Sequence, residues 1–210
     1  MIEKKGIFKS IFEKPWEQSQ ILKDNNHDGK ALPISGSKLA VRYIMTVSTV
    51  IFSLFVISYS DRMLVHDWKS MPEPWLLWIN TAILVLNSYF FHKTKIAADN
   101  INYEKIKKGL FIVGFLAYSF LIGQLIVWYL LMSNDYYAAS NPANSFFYLF
   151  TTLHGLHLLG GLIFWGRTTS KLLKGNYKFA NLQNSIELCA IYWHFLLIVW
   201  LVLFGLMLFT

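Results

Sequence analysis

The chain has 210 residues, 55% of them hydrophobic and 17% aromatic, and a formal charge of +7 from 19 Lys and Arg against 12 Asp and Glu. Its long uncharged stretches exclude an ordinary soluble domain and set the membrane pattern instead. The basic residues sit between the apolar runs, which excludes nucleic-acid binding as the source of the charge, and the single cysteine, Cys189, excludes a disulfide or a thiolate metal site within the chain.

Residues 1–38 are polar and lysine-rich, and they read as a cytoplasmic N-terminal segment ahead of a transmembrane domain over 39–210. The first apolar run comes too late and is too long for a cleavable signal, so it reads as an uncleaved anchor. Ile7, Phe8, Ile11 and Phe12 recur at helical spacing among Lys4, Lys5, Lys9 and Lys14. That pattern fits either an interfacial amphipathic helix over 6–14 or a short frayed lead-in. The stretch from Asp24 to Gly29 has turn chemistry.

Five apolar runs follow, at 39–58, 75–91, 110–132, 146–165 and 186–209. Each is long enough, at about 1.5 Å per residue, to span roughly 30 Å of hydrocarbon. Lipid offers unpaired backbone groups no partner, so all five are expected to be helices and the fold class is an all-α membrane bundle. Eight Lys and Arg precede or open the first run, five follow the second and four follow the fourth, whereas only Arg62 and Lys69 lie on the other side. The positive-inside rule then predicts a cytoplasmic N-terminus and a periplasmic C-terminus.

Within the first run, Arg42 lies a few residues inside the cytoplasmic end, placed either to bind a lipid phosphate or simply to anchor the helix. The second run carries Asn80 and Asn87, with Thr81 and Ser88 beside them, each pair seven residues apart. Such a stripe must face protein rather than lipid. In the third run Ser119 and Gly123 form a small-xxx-small pair, and Gln124 follows. The fourth holds His154 and His157 at i and i+3, with Gly155, Gly160 and Gly161 as close-packing positions. The fifth holds Glu187 and His194 seven apart on one face, then Trp200.

His157 and His194 fall at similar depth on helices that run in opposite directions. They admit two readings: a bis-histidine haem or copper site, or buried polar groups that bond between helices. Intramembrane histidines serve as interhelical glue, and spacing alone favours that second reading. Glu187 reads as a snorkelling interfacial carboxylate or, alternatively, the start of a proton relay.

With these residues in view, the chain resembles cytochrome c oxidase subunit III in its five-helix bacterial form, over roughly residues 40–209. The resemblance is carried by Leu77 to Leu84, by Gln124 with Trp128, by Ser145 to Thr151 followed by His154-Gly155-Leu156-His157 and Gly160-Gly161, and by Glu187 through Tyr192-Trp193-His194-Phe195 to Trp200. It implies an accessory subunit of a haem–copper terminal oxidase in a bacterial inner membrane, with no cofactor of its own. The haems and copper would lie in subunit I, with subunit II, a small subunit IV or a larger supercomplex as further partners. It also implies a V-shaped cleft, two helices against three, filled with bound phospholipid, and His154, His157 and the aromatic-rich helices would line it. Two family carboxylates are absent: Thr49 and Leu197 stand where the resemblance leads one to expect Glu and Asp. An accessory protein of a nitric oxide reductase, an independent bis-histidine cytochrome and a supercomplex scaffold are the alternative readings.

Overall fold

A computed structural model describes residues 36–71, 74–175 and 179–208, so the segment 6–14 and the turn at 24–29 lie outside the described residues. Five helices follow one another: α1 Gly36–Arg62, α2 Leu76–Asp99, α3 Tyr103–Ser133, α4 Pro142–Lys174 and α5 Phe179–Leu208. Ala40–Thr210 form one compact unit. Of Met1–Leu39, only the first turn of α1 is described.

Local chemistry sets the helix ends. Asn102 caps α3 by accepting from the Lys105 N–H at 3.1 Å, and Glu104 sits in that first turn, where a negative charge suits the helix dipole. Asn141 caps α4, and Pro142 occupies the first helical position, where its missing N–H costs nothing. Gly175 ends α4 in the left-handed conformation at φ 66°, which glycine adopts without a Cβ penalty. The helices outrun their apolar runs. α3 begins seven residues before 110 and α4 ends nine residues after 165, because capped, charged ends can stay helical in water beyond the hydrocarbon.

α1, α3, α4 and α5 are long and apolar enough to cross a membrane. At 24 residues α2 has the length, but its polar stripe lowers its apolar content. That stripe does not face lipid: Asn80, Thr81, Asn87 and Ser88, joined by Thr94, are all buried. α2 packs on α3 and α5, and α4 packs on the same two, so the four close into a ring. The main core fills it, with Phe91, Phe120, Phe147, Trp193 and Trp200 among its largest buried side chains.

α1 stands apart from this ring. Only Ser48, Phe52 and Tyr59 are buried along it, and Phe52 and Tyr59 meet Phe150, Val199 and Leu203 of α4 and α5. The division is therefore one helix against four, where the resemblance implied two against three. The cause is the polar stripe of α2, which has partners on α3 and α5 and, among the described residues, none on α1.

Candidate functional site

Several of the polar groups legible in the sequence meet in a seam between α2 and α5. Trp200 Nε1–H donates to Thr81 Oγ1 at 2.9 Å. Ser88 Oγ is hydrogen-bonded to His194 Nδ1, and Lys95 Nζ lies 3.8 Å from Glu187 Oε1. Trp78 and Phe204 meet edge to face at 5.0 Å. Thr81, Ser88 and Lys95 step by seven along α2, as Glu187 and His194 do along α5. Two antiparallel helices with seven-residue stripes stay in register over their whole length. With its amide oxygen turned toward α5, Asn87 also accepts from Trp193 Nε1–H at 3.1 Å.

Every other neighbouring pair in the ring is joined too. Between α3 and α4, Trp128 Nε1–H donates to Thr151 Oγ1 at 3.0 Å and Trp165 Nε1–H to the Leu110 carbonyl at 3.0 Å. Between α4 and α5, the Tyr192 hydroxyl donates to the His157 carbonyl at 3.1 Å. Between α2 and α3, Asn80 Nδ2–H donates to Gln124 Oε1 at 3.5 Å, a long bond. Lipid is as apolar as leucine, so burial alone does not drive helices together. Packing and such bonds, at about 0.6 kcal/mol each and rarely above about 1.7, supply the attraction.

Glycines admit these side chains. A Cβ at 161 would lie 2.8 Å from Trp193 Cζ3, one at 114 would enter the Trp165 indole, and one at 123 would overlap Asn80. Gly155 and Gly160 do no such service, since a Cβ at either meets nothing within 4 Å.

At the centre of the ring His154 is fully buried. Its ring lies 5.1 Å from that of Trp200 and 5.9 Å from that of Phe120. Both of its nitrogens lack a hydrogen-bond partner among the described residues, as do Asn80 Oδ1 and Gln124 Nε2. His154 is thus sealed from any lipid cleft. His157, one turn away, looks outward to α1: its Nδ1 bonds the Leu153 carbonyl at 2.7 Å and its ring lies 5.3 Å from Phe52. His157 and His194 have different neighbours, since His194 faces Ser88 and His92 on α2. Among the described residues no group of three His, Cys, Asp or Glu is placed to hold a metal ion.

Arg42 is exposed on α1. Seven residues on begins a groove of about 490 Å³ between α1 and α5, lined by Thr49, Phe52, Val56, Phe195, Ile198 and Val199. Thr49 hydrogen-bonds its own helix at the Met45 carbonyl, and Leu197 packs on the main core. Outside the membrane-spanning segments, the Arg62 guanidinium donates to Asp67 at 2.8 Å and holds its carboxyl below the usual carboxylate range. Sequence reasoning missed the packing role of Trp193, the Lys95–Glu187 pair and the Trp165–Gly114 contact. The seven-residue spacings from Trp193 to Trp200 and from Ser88 to Lys95 were the available signal.

A family model described as Cytochrome c oxidase subunit III matches residues 69–210, which contain the whole ring and leave α1 out. The cytochrome c oxidase subunit 3 of Synechocystis sp. is 28% identical over 168 residues, covering 78% of this chain and 71% of that protein. Its counterpart in Thermostichus vulcanus is 30% identical over 61% of this chain, which spans 63% of that relative's length. The cytochrome bo(3) ubiquinol oxidase subunit 3 of Buchnera aphidicola is 26% identical over 77% of this chain and 87% of that protein.

Proposed function

This chain belongs to the cytochrome c oxidase subunit III family, and we propose from that premise that it is the accessory, non-redox subunit III of a haem–copper terminal oxidase in a bacterial cytoplasmic membrane. Subunit I carries the haems and copper, and subunit III covers one of its apolar faces. The N-terminus lies in the cytoplasm and the C-terminus in the periplasm, with the basic loops inside.

The observation that carries this reading is the closed ring. Each of its four sides is joined by side-chain hydrogen bonds, while Phe115, Ile122 and Ile198 turn outward and exposed. Such an element is suited to packing against a larger membrane partner. The groove between α1 and α5 is apolar along its walls and fits acyl chains. Arg42 stands about 10 Å along α1 from its upper edge and binds the phosphate of the same lipid. Lipid held there keeps α1 on the ring, in a place where protein contact alone is sparse.

The test is oxygen consumption against turnover number, for the oxidase with and without this chain. The stripped enzyme is expected to keep its haem spectrum and most of its initial rate, then to lose activity over fewer turnovers. Immediate loss of all activity with the haems in place would refute an accessory role. For lipid, equal phospholipid stoichiometry in wild type and Arg42→Ala after detergent purification would count against the Arg42 site.

A further inference from the structure

The end of α2 and the start of α3 line a second pocket, of about 530 Å³, at the turn end of their seam and separate from the α1–α5 groove. Lys93, Lys105 and Lys108 line it, together with Asn100 and Asn102 of the connecting turn. Ala97 lines it as well, and Phe90 and Ile112, further from the turn along their helices than Lys93 and Lys108, form its apolar end. Among the described residues none of the three lysines lies in an ion pair, although Lys93 Nζ rests 4.7 Å over the Tyr89 ring. The nearby carboxylates do not neutralise them. Asp99 accepts from Gln183 Nε2–H at 2.8 Å, and neither Asp99 nor Glu104 lines the pocket.

The turn itself is strained. Ile101 sits at φ 54°, a conformation that a β-branched side chain adopts only when its surroundings impose it. The N–H groups of Ile101 and Asn102 hold it there by donating to the Ala98 and Ala97 carbonyls, at 3.2 and 3.0 Å. The result places Asn100 and Asn102 at the pocket and leaves the Ile101 side chain 57% exposed at the tip of the hairpin. Ile96 and Tyr103 are exposed on either side of it along the chain. An apolar fringe interleaved with lysines is the signature of a segment lying at the headgroup level of an anionic leaflet.

We propose that this hairpin pocket binds an anionic phospholipid, the three ammonium groups taking its phosphate and one acyl chain following Phe90 and Ile112. The apolar depth is what selects a lipid over a free anion, since inorganic phosphate gains nothing from those walls. The site does not depend on the chain's place in an oxidase. It depends only on the α2–α3 hairpin meeting the membrane surface on the side that holds most of the Lys and Arg.

The test uses the full chain in nanodiscs of equal phosphatidylglycerol and phosphatidylcholine, with retained lipid counted by native mass spectrometry after transfer to detergent. Near the surface each lysine is worth a factor of about five in affinity for an anionic lipid. The wild type is expected to retain phosphatidylglycerol preferentially, and the triple variant Lys93→Gln/Lys105→Gln/Lys108→Gln to lose that preference by roughly tenfold or more. The matched control Arg167→Gln/Lys171→Gln/Lys174→Gln removes the same charge from the basic end of α4 and should retain it. Replacing the pocket lysines by arginine should retain it as well, which separates charge from fold. Equal loss in the pocket and control variants would overturn the proposal in favour of diffuse surface attraction. So would displacement of the retained lipid by millimolar inorganic phosphate, which would make the free anion the ligand.

Discussion

Two adjacent glycines on α4 provide a controlled test of the ring's packing. Gly160 and Gly161 differ only in the direction they face. A methyl group at 160 meets nothing within 4 Å, whereas one at 161 falls 2.8 Å from Trp193 Cζ3 and 3.1 Å from Tyr192 Cε1. Ordinary contact begins near 3.4 Å, so Trp193 would have to retreat by more than half an ångström. It has little room to do so, being buried and packed 5.1 Å from the Phe91 ring. Overpacking of this kind costs about 1–3 kcal/mol. Alanine at either site gains about 1 kcal/mol in helix propensity over glycine. Because that gain is common to both, the difference between the variants isolates the packing. Gly160→Ala should be as stable as wild type or slightly more so. Gly161→Ala should lie about 1–3 kcal/mol below Gly160→Ala. Reversible unfolding in mixed micelles, by titration with a denaturing detergent, measures both. Equal stabilities would refute the close approach of α4 to Trp193 and with it the ring geometry at that corner.

Other consequences follow from the same contacts. Trp200→Phe and Thr81→Val each remove one end of the α2–α5 bond, and a double-mutant cycle should return a coupling of about 0.6–1.7 kcal/mol; additive losses would show that the indole N–H does not reach Thr81. Asp67 titrates below its ordinary value because Arg62 hydrogen-bonds it, so the pair helps folding only while Asp67 is ionised. The stability difference between wild type and Asp67→Asn should be full above about pH 4 and vanish as the pH falls through the depressed folded value; a difference constant from pH 7 to pH 3 would contradict this. A periplasm-active reporter fused after Thr210 should work and one fused after Lys108 should not, and the reverse pattern would overturn the orientation. The purified chain should show no Soret band in a reduced-minus-oxidised spectrum, and a band lost in His157→Ala or His194→Ala would restore the cytochrome reading.

The sequence by itself determined the helices. Runs of uncharged residues this long have one stable form in hydrocarbon, so the helical class and the approximate span positions were legible without coordinates. It also marked each polar stripe: Asn80 with Asn87, Thr81 with Ser88, and Glu187 with His194 recur at seven because that spacing returns to the same face of a helix. Tertiary structure decided which stripe meets which. Periodicity says that a face is buried but not against what, and the pairing of Ser88 with His194 and of Lys95 with Glu187 appears only when α2 and α5 lie side by side. The same limit governs the histidines. Depth along the chain made His157 and His194 look like partners, but rotation about the helix axis sends one toward Phe52 on α1 and the other toward α2. It governs the glycines too, where Gly160 and Gly161 are chemically identical and only the second has an indole against it. Composition fixes how far a residue lies into the membrane, whereas azimuth, and hence contact, is set by the neighbouring helices.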